Sequence, residues 1–287
     1  KLSLFIFTRD LRLEDNTSLI NALKASEKVL PIFIFNPTQI DSDKNSYKSD
    51  NCVQFMIESL EELNQELKKK SSRLFYFYGD NITIIKKIIK ETDINAVYIN
   101  QDYTPFAKKR ERDIENLCKK NKIDFYKFED YSLCGISGVR KQDGGLYTVF
   151  TPFYRAGLKV KKQDPVKNTN KNYVSKTYKL DCEFKGDIHK FYKENKDILV
   201  RGGRSNALKI LSNISKFKNY NKDREIPSIH GTTYLSAYMK FNVVSIREVY
   251  KKLTDTFNLT NKFIFICIHN SQLPALHELS RPCLSLS

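Results

Sequence analysis

Glycine (10 residues) and proline (8) are scarce among these 287 residues, which excludes collagen-like and low-complexity chains. Only four histidines occur, all isolated, and the six cysteines (Cys52, Cys118, Cys134, Cys182, Cys267, Cys283) are scattered without a CxxC pair. A zinc site is therefore not expected, nor any other metal. His269 and His277 fit neither a ligand pair nor a triad, and no catalytic side chain stands out. No apolar run approaches the roughly 18 residues of a membrane span, and the apolar start Leu2–Phe7 meets Arg9 and Asp10 too soon for a signal peptide. These absences predict a soluble intracellular monomer of a reducing compartment (cytoplasm, nucleus or nucleoid), with no membrane partner. Neither GxGxxG nor a P-loop occurs, so a nucleotide, if bound, is held another way. The first residue is Lys1 rather than Met, and a short preceding piece is expected.

What is present is positive charge. Lys and Arg number 49 against 33 Asp and Glu, a net +16 that favours a polyanionic partner such as nucleic acid. The length suits two domains with sizeable cores. Five short apolar or aromatic runs, Leu2–Phe7, Val29–Phe35, Leu74–Tyr78, Ala96–Asn100 and Asp124–Phe128, read as strands, most of them covered on both faces. Between them lie helical stretches at Asn16–Ala25, Cys52–Lys70, Asn81–Lys90 and Phe106–Asn121. In the second, Val53, Met56, Leu60, Leu63 and Leu67 form one apolar stripe. Alternating strands and helices with right-handed crossovers predict an α/β, doubly wound parallel five-stranded sheet over residues 1–128.

Residues 129–197 lose this periodicity and are rich in lysine, reading as a connecting segment across the surface. Helical texture returns at Gly203–Ile214 and Thr232–Leu253, so 198–287 is expected to begin an α-helical domain. After Lys262 the tail carries only Glu278 and Arg281 as charges and looks foreign to the rest. The loop after the first strand, with Arg9, Asp10, Arg12, Glu14 and Asp15, sits at the carboxyl edge where such sheets bind ligands. The plainer reading is solvated charge around a helix cap at Asp15 or Asn16.

Several segments in order carry a more specific signal: FTRDLRLEDNTSL (7–19), PIFIFNP (31–37), NQDYTPFAKKRERDIENLC (100–118), VFTPF (149–153), GGRSNALKIL (202–211) and NYNKDREIPSIHGTTYLSAYMKFNVVSIREVY (219–250). Together they resemble the DNA photolyase and cryptochrome family over residues 2 to about 262. The resemblance implies a photolyase-type α/β domain followed by the beginning of a helical FAD-binding domain. Carried over by position, it makes Tyr220, Thr232, Thr233, Tyr234, Leu235 and Ser236 flavin contacts. Thr232 or Thr233 is also an N-cap candidate beside the phosphates. Arg224 matches the family's arginine near damaged DNA, where a guanidinium suits phosphate.

The resemblance further implies light-driven repair of cyclobutane pyrimidine dimers in DNA. A blue-light sensor, or a nucleic-acid or chromophore-binding module without catalysis, stays open beside it. The chain departs from the family's pattern in having no tryptophan for electron relay or lesion stacking, and in ending where the flavin domain has barely begun. Truncation with impaired FAD binding is therefore expected. Residues around Phe106 and Ala107 do not match a folate antenna site, so a second antenna chromophore is left unidentified.

Overall fold

The computed structural model describes residues 1–257 apart from 136, 137 and 227. The tail after Lys262, with Cys267, His269, His277 and Cys283, lies outside the described residues, as does the end of the expected third segment. Five strands, β1 (Leu2–Phe7), β2 (Lys28–Phe35), β3 (Phe75–Tyr78), β4 (Ile94–Asn100) and β5 (Asp124–Phe128), form one sheet in the order β3-β2-β1-β4-β5. Every pairing is parallel, as the alternation of elements requires.

Because successive side chains of a strand point to opposite faces, β1 feeds two cores. Phe5 and Phe7 pack with α1 (Thr17–Ala25) and with Val53, Leu60, Leu63 and Leu67 of α3 (Asp50–Lys69). Leu4 and Ile6 face Ile84, Ile85 and Ile88 of α4 (Asn81–Glu91) and Ile114 and Leu117 of α5 (Pro105–Lys120) on the other side. The sheet is thus doubly wound. Capping sets the helix starts: Asn16 accepts from the Leu19 N–H at 3.2 Å, and Ser49 from Cys52 at 3.4 Å, opening α3 at Asp50, ahead of the expected start at Cys52. A short helix, α2 (Pro37–Ile40), follows β2 under an Asn36 cap.

The lysine-rich segment after β5 crosses the surface but is tied down along its length. It contains α6 (Phe150–Lys159) and a 3₁₀ turn at Ile188–Phe191. The Val29 N–H donates to Asn172 O at 2.9 Å and Val29 O accepts from Val174 at 3.0 Å, while Phe184 N–H donates to Tyr76 O at 2.8 Å. Arg73 grips the Glu183 carboxylate with two nitrogens and donates to the Tyr178 and Lys176 carbonyls. Tyr173, Val174, Leu180 and Phe191 are buried beneath. Period-based reading misses these anchors because they are one or two residues long, too short to show a period.

The second region comprises α7 (Arg204–Ser212), α8 (Tyr220–Asp223), α9 (Leu235–Lys240) and α10 (Ile246–Thr256), with a 3₁₀ turn at Ile214–Phe217. The single helical stretch expected over Thr232–Leu253 is broken. Asn242 adopts φ +43°, and Ser245 with Glu248 forms a capping box that starts α10 afresh. Among the described residues no helix is long and apolar enough to cross a membrane.

The region is seated on α3 by Gly202 and Gly203. Their N–H groups donate to Glu58 Oε2 at 2.6 Å and Ser59 Oγ at 2.9 Å, and Ser205 N–H donates to Glu62 Oε1 at 2.8 Å. Side chains of α3 therefore cap α7. A Cβ at residue 202 would stand 2.2 Å from Phe55 O, so backbone meets backbone there. Gly202→Ala is expected to destabilise the protein by about 1–3 kcal/mol through this overlap, read as a lower urea midpoint.

Candidate cofactor cleft and the polar core beside it

The loop after β1 is not a row of solvated charges. Asp10, Arg12 and Asp15 are buried, and only the Asn16 cap of the plainer reading holds. The Asp10 carboxylate accepts from Thr8 N–H at 2.8 Å, Asn100 Nδ2 at 2.7 Å and Asn16 Nδ2 at 3.1 Å. Burial, reinforced by Asp130, pushes its pKa up despite these donors. Arg12, wholly buried, donates to Asp130 Oδ2 at 2.6 Å, to Asp15 O at 2.6 Å and to Asn242 O at 3.1 Å.

Arg247 of α10 completes the cluster. Its Nε donates to Asp15 Oδ2 at 2.8 Å and its Nη2 to Asp130 Oδ1 at 2.8 Å, while Thr17 Oγ1 donates to the same Asp130 oxygen at 2.7 Å. Two guanidiniums and two carboxylates thereby pair in a buried site, joining the first loop, the start of the connecting segment and the last described helix. Burial works against the Asp130 carboxylate, but Arg12 and Arg247 outweigh it and hold its pKa down to about 2.

Above this core a cleft of about 330 Å³ opens at the carboxyl edge of the sheet. The ends of β1 and β2, the loop after β4 and α3 enclose it, together with Arg110 of α5 and Lys240 and Phe241 at the end of α9. Its position on both sides of the β1/β4 reversal is where open α/β sheets bind ligands. Arg9 lies between the rings of Tyr103 and Tyr131, 4.9 and 4.5 Å from their centroids, and pairs with Asp102 at 3.0 Å. Among the described residues Arg110 Nε and Nη2, both buried, make no hydrogen bond.

Sequence reasoning pointed to the loop of this site but missed Arg110, Lys240 and Phe241. Arg110 sits in the charge run KKRERD, which reads as a solvated helix face. Lys240 and Phe241 come from a different region of the chain, and no local signal ties them to the sheet.

The residues named by the resemblance come together in part. Tyr220 is buried at the start of α8, and the Arg224 guanidinium stands over its ring at 5.8 Å while its Nε donates to Glu225 at 2.8 Å. Gly231 packs so closely on the end of α8 that a Cβ there would lie 2.4 Å from Asp223 O, which brings the chain just before Thr232 against that helix. The expected hydroxyl N-cap is corrected. Tyr234, in the left-handed region at φ +54°, caps α9 without a side-chain bond, and the Thr233 hydroxyl instead accepts from Leu235 N–H at 3.3 Å.

Thr233 and Leu235 are buried, Thr232 is half-buried, and Tyr234 and Ser236 are exposed. Ser236 lines a smaller cavity of about 140 Å³ with Arg9, Tyr131 and Lys240. Thr232 and Ser236 each carry a hydroxyl that is not buried, and a hydroxyl can donate to a phosphate oxygen. Among the described residues no group of three His, Cys, Asp or Glu is placed to hold a metal. His189 bridges Glu61 and Tyr192 at 3.0 and 3.1 Å, a structural pin.

Asp130→Asn would leave two buried guanidiniums short of one charge, and a loss of about 3–5 kcal/mol in urea unfolding is expected at neutral pH. Since the folded pKa of about 2 lies below the ordinary 3.8, Asp130 stabilises the fold above about pH 4. That contribution disappears as the pH falls toward 2. The acid-side slope of stability should therefore be shallower in Asp130→Asn than in the parent, and equal slopes would refute the assignment.

Comparison with known proteins completes the description. The DNA photolyase family model matches residues 3–170. The chain is 31% identical over 256 residues to a deoxyribodipyrimidine photo-lyase of Alkalihalophilus pseudofirmus, covering 85% of this chain and 52% of that protein. It is 24% identical over 297 residues to Cryptochrome-1 of Drosophila melanogaster, covering 93% and 54%. It thus spans about half the length of these two relatives. An archaeal photolyase from Sulfolobus tokodaii, whose crystal structure holds two FAD molecules, superposes with a TM-score of 0.80 at 34% identity, over 96% of this chain and 60% of that one. The chain belongs to the DNA photolyase family.

Proposed function

We propose that this chain is a photolyase-like flavoprotein whose FAD contacts begin at Tyr220 and whose substrate is DNA containing cyclobutane pyrimidine dimers. The observation that supports this reading most is the docking of residues 232–240 on the carboxyl edge of the sheet, where Arg9 and Lys240 line both the cleft and the cavity containing Ser236. In this reading residues 1–128 are the α/β domain, 129–197 the interdomain linker, and 198 onward the start of the FAD-binding domain. The protein works as a soluble intracellular monomer.

The hydroxyls of Thr232 and Ser236 bind flavin phosphate, Tyr234 lies against the nucleotide, and Tyr220, Thr233 and Leu235 support them from below. The chemistry belongs to the flavin: the light-excited reduced ring gives one electron to the dimer, the cyclobutane opens, and the electron returns. No nucleophile or general base is required of the protein. Arg224, exposed beyond Tyr220, pairs with a DNA phosphate beside the flipped lesion, and the net +16 charge supplies salt-sensitive affinity for the backbone. A second, light-harvesting chromophore occupies the 330 Å³ cleft. The solved structure with two FAD molecules supports room for a second pigment in this fold.

With FAD in excess, blue light should restore a dimer-containing oligonucleotide; flavin binding without restoration would favour a sensor instead. Arg224→Ala should weaken binding of that oligonucleotide and reduce the slope of log K against log salt by about one. An unchanged slope removes Arg224 from the DNA surface.

A further inference from the structure

A stretch of nearly one sign of charge runs along the connecting segment, none of whose residues lines the cleft. Between residues 150 and 173 six cations stand against one carboxylate, that of Asp164. From residue 161 to 172 the chain forms no helix or strand, yet this strap is pinned from beneath. Val166 N–H donates to Asp15 Oδ1 and Asp15 N–H to Val166 O, both at 2.9 Å, which joins the strap to the carboxylate that Arg247 holds. Asn168, buried, donates from Nδ2 to Leu13 O at 3.0 Å and from its N–H to Glu14 at 2.8 Å. Lys70 at the end of α3 donates to Asn170 O at 3.2 Å, and Asn172 Nδ2 to the Leu23 and Ser26 carbonyls at 2.8 Å. The inward residues are spent on these bonds, and Lys161, Lys167 and Lys171 are left exposed.

The carboxylates beside these lysines are already engaged. Glu14 accepts from Asn168, Asp15 belongs to the buried cluster, and Asp164 lies 3.5 Å from Lys251 Nζ on α10. Lys161 and Lys171 are ten residues apart, a reach of at most about 33–36 Å in extended chain. Over such a length a duplex presents one phosphate charge per about 1.7 Å of its axis. The strap holds no aromatic residue on which a base of a single strand could stack. We infer that residues 161–171 form a second nucleic-acid contact, which holds the phosphate backbone of undamaged duplex DNA through Lys161, Lys167 and Lys171 and is blind to damage. It belongs to a different element from Arg224, which follows α8. Neither flavin nor a lesion takes part, so the contact holds whether or not the chain repairs DNA.

The test uses the full chain and a labelled, undamaged duplex of about 30 base pairs, with anisotropy read between about 50 and 200 mM salt. In Lys161→Gln/Lys167→Gln/Lys171→Gln the slope of log K against log salt should become shallower by about 2–3, since each lost phosphate contact removes about 0.9. Lys86→Gln/Lys119→Gln/Lys122→Gln removes the same net charge from exposed positions of α4, α5 and the turn after it, and should leave the slope nearly unchanged. An equal change in both triple variants would reduce the effect to total charge and overturn the contact, as would an unchanged slope in the first. Acetylation of the unaltered protein, mapped by mass spectrometry with and without duplex, depends on no variant folding. The duplex should shield Lys161, Lys167 and Lys171, and undiminished labelling refutes the contact. Phosphatidylserine vesicles binding as tightly, with the same dependence on the strap, would overturn duplex DNA as the partner. A dimer-containing duplex should lose affinity in the strap variant by the same factor as the undamaged one, and a larger loss would refute blindness to damage. Failure of the parent protein to prefer the dimer would count against the repair reading and leave the strap standing.

Discussion

Everything at the carboxyl edge of this sheet depends on the buried pairing of Arg12 and Arg247 with Asp15 and Asp130. Taking four charges out of water is expensive, and a buried ion pair of this kind adds little net stability compared with an apolar cluster of the same shape. What it adds is position. Each guanidinium accepts no substitute geometry, because it must reach a particular carboxylate and particular backbone carbonyls at once, Asp15 O and Asn242 O among them. A hydrophobic contact would tolerate a sliding of α10 by a fraction of a turn; this network does not.

The consequence reaches α9, which at six residues is too short to hold itself helical. Its far end is fixed where Leu11 N–H donates to Phe241 O at 3.1 Å and where the Phe55 ring meets those of Phe241 and Tyr238 at 5.3 and 5.2 Å. Arg12 takes the next carbonyl, that of Asn242. The cleft wall formed by Lys240 and Phe241, and the cavity edge formed by Ser236, are therefore placed by residues at the start of the chain. The candidate flavin wall and the cleft are two ends of one small helix pinned to the β1 loop.

This arrangement explains what the sequence revealed and what it hid. Strands such as Leu2–Phe7 and Asp124–Phe128 were legible to the residue because apolar or aromatic runs of that length bounded by polar residues have few other uses. The helices of the α/β half were legible because their stripes repeat. Arg12 and Asp130 were not legible as partners, since a charged residue is exposed by default and their separation of 118 positions leaves no local trace. The same holds for Asn242, whose left-handed backbone ends α9 in the middle of what periodicity reads as one helix. For the residues at 220–236 the order of motifs located the region, but the local geometry, with Tyr234 in the left-handed region at the cap of α9 and the Thr233 hydroxyl accepting from Leu235 N–H, leaves no pattern in the sequence.

Charge balance then separates interior from surface. The four-membered cluster is neutral, and the neighbouring pair of Arg204 with Glu248, at 2.6 Å, is neutral as well. Burial forces this, because an unbalanced charge at those positions would cost more than the fold's margin of stability. Most lysines of the described residues lie at the solvent face, where water answers their charge. From the surface that excess acts on other molecules by long-range attraction of a phosphate backbone.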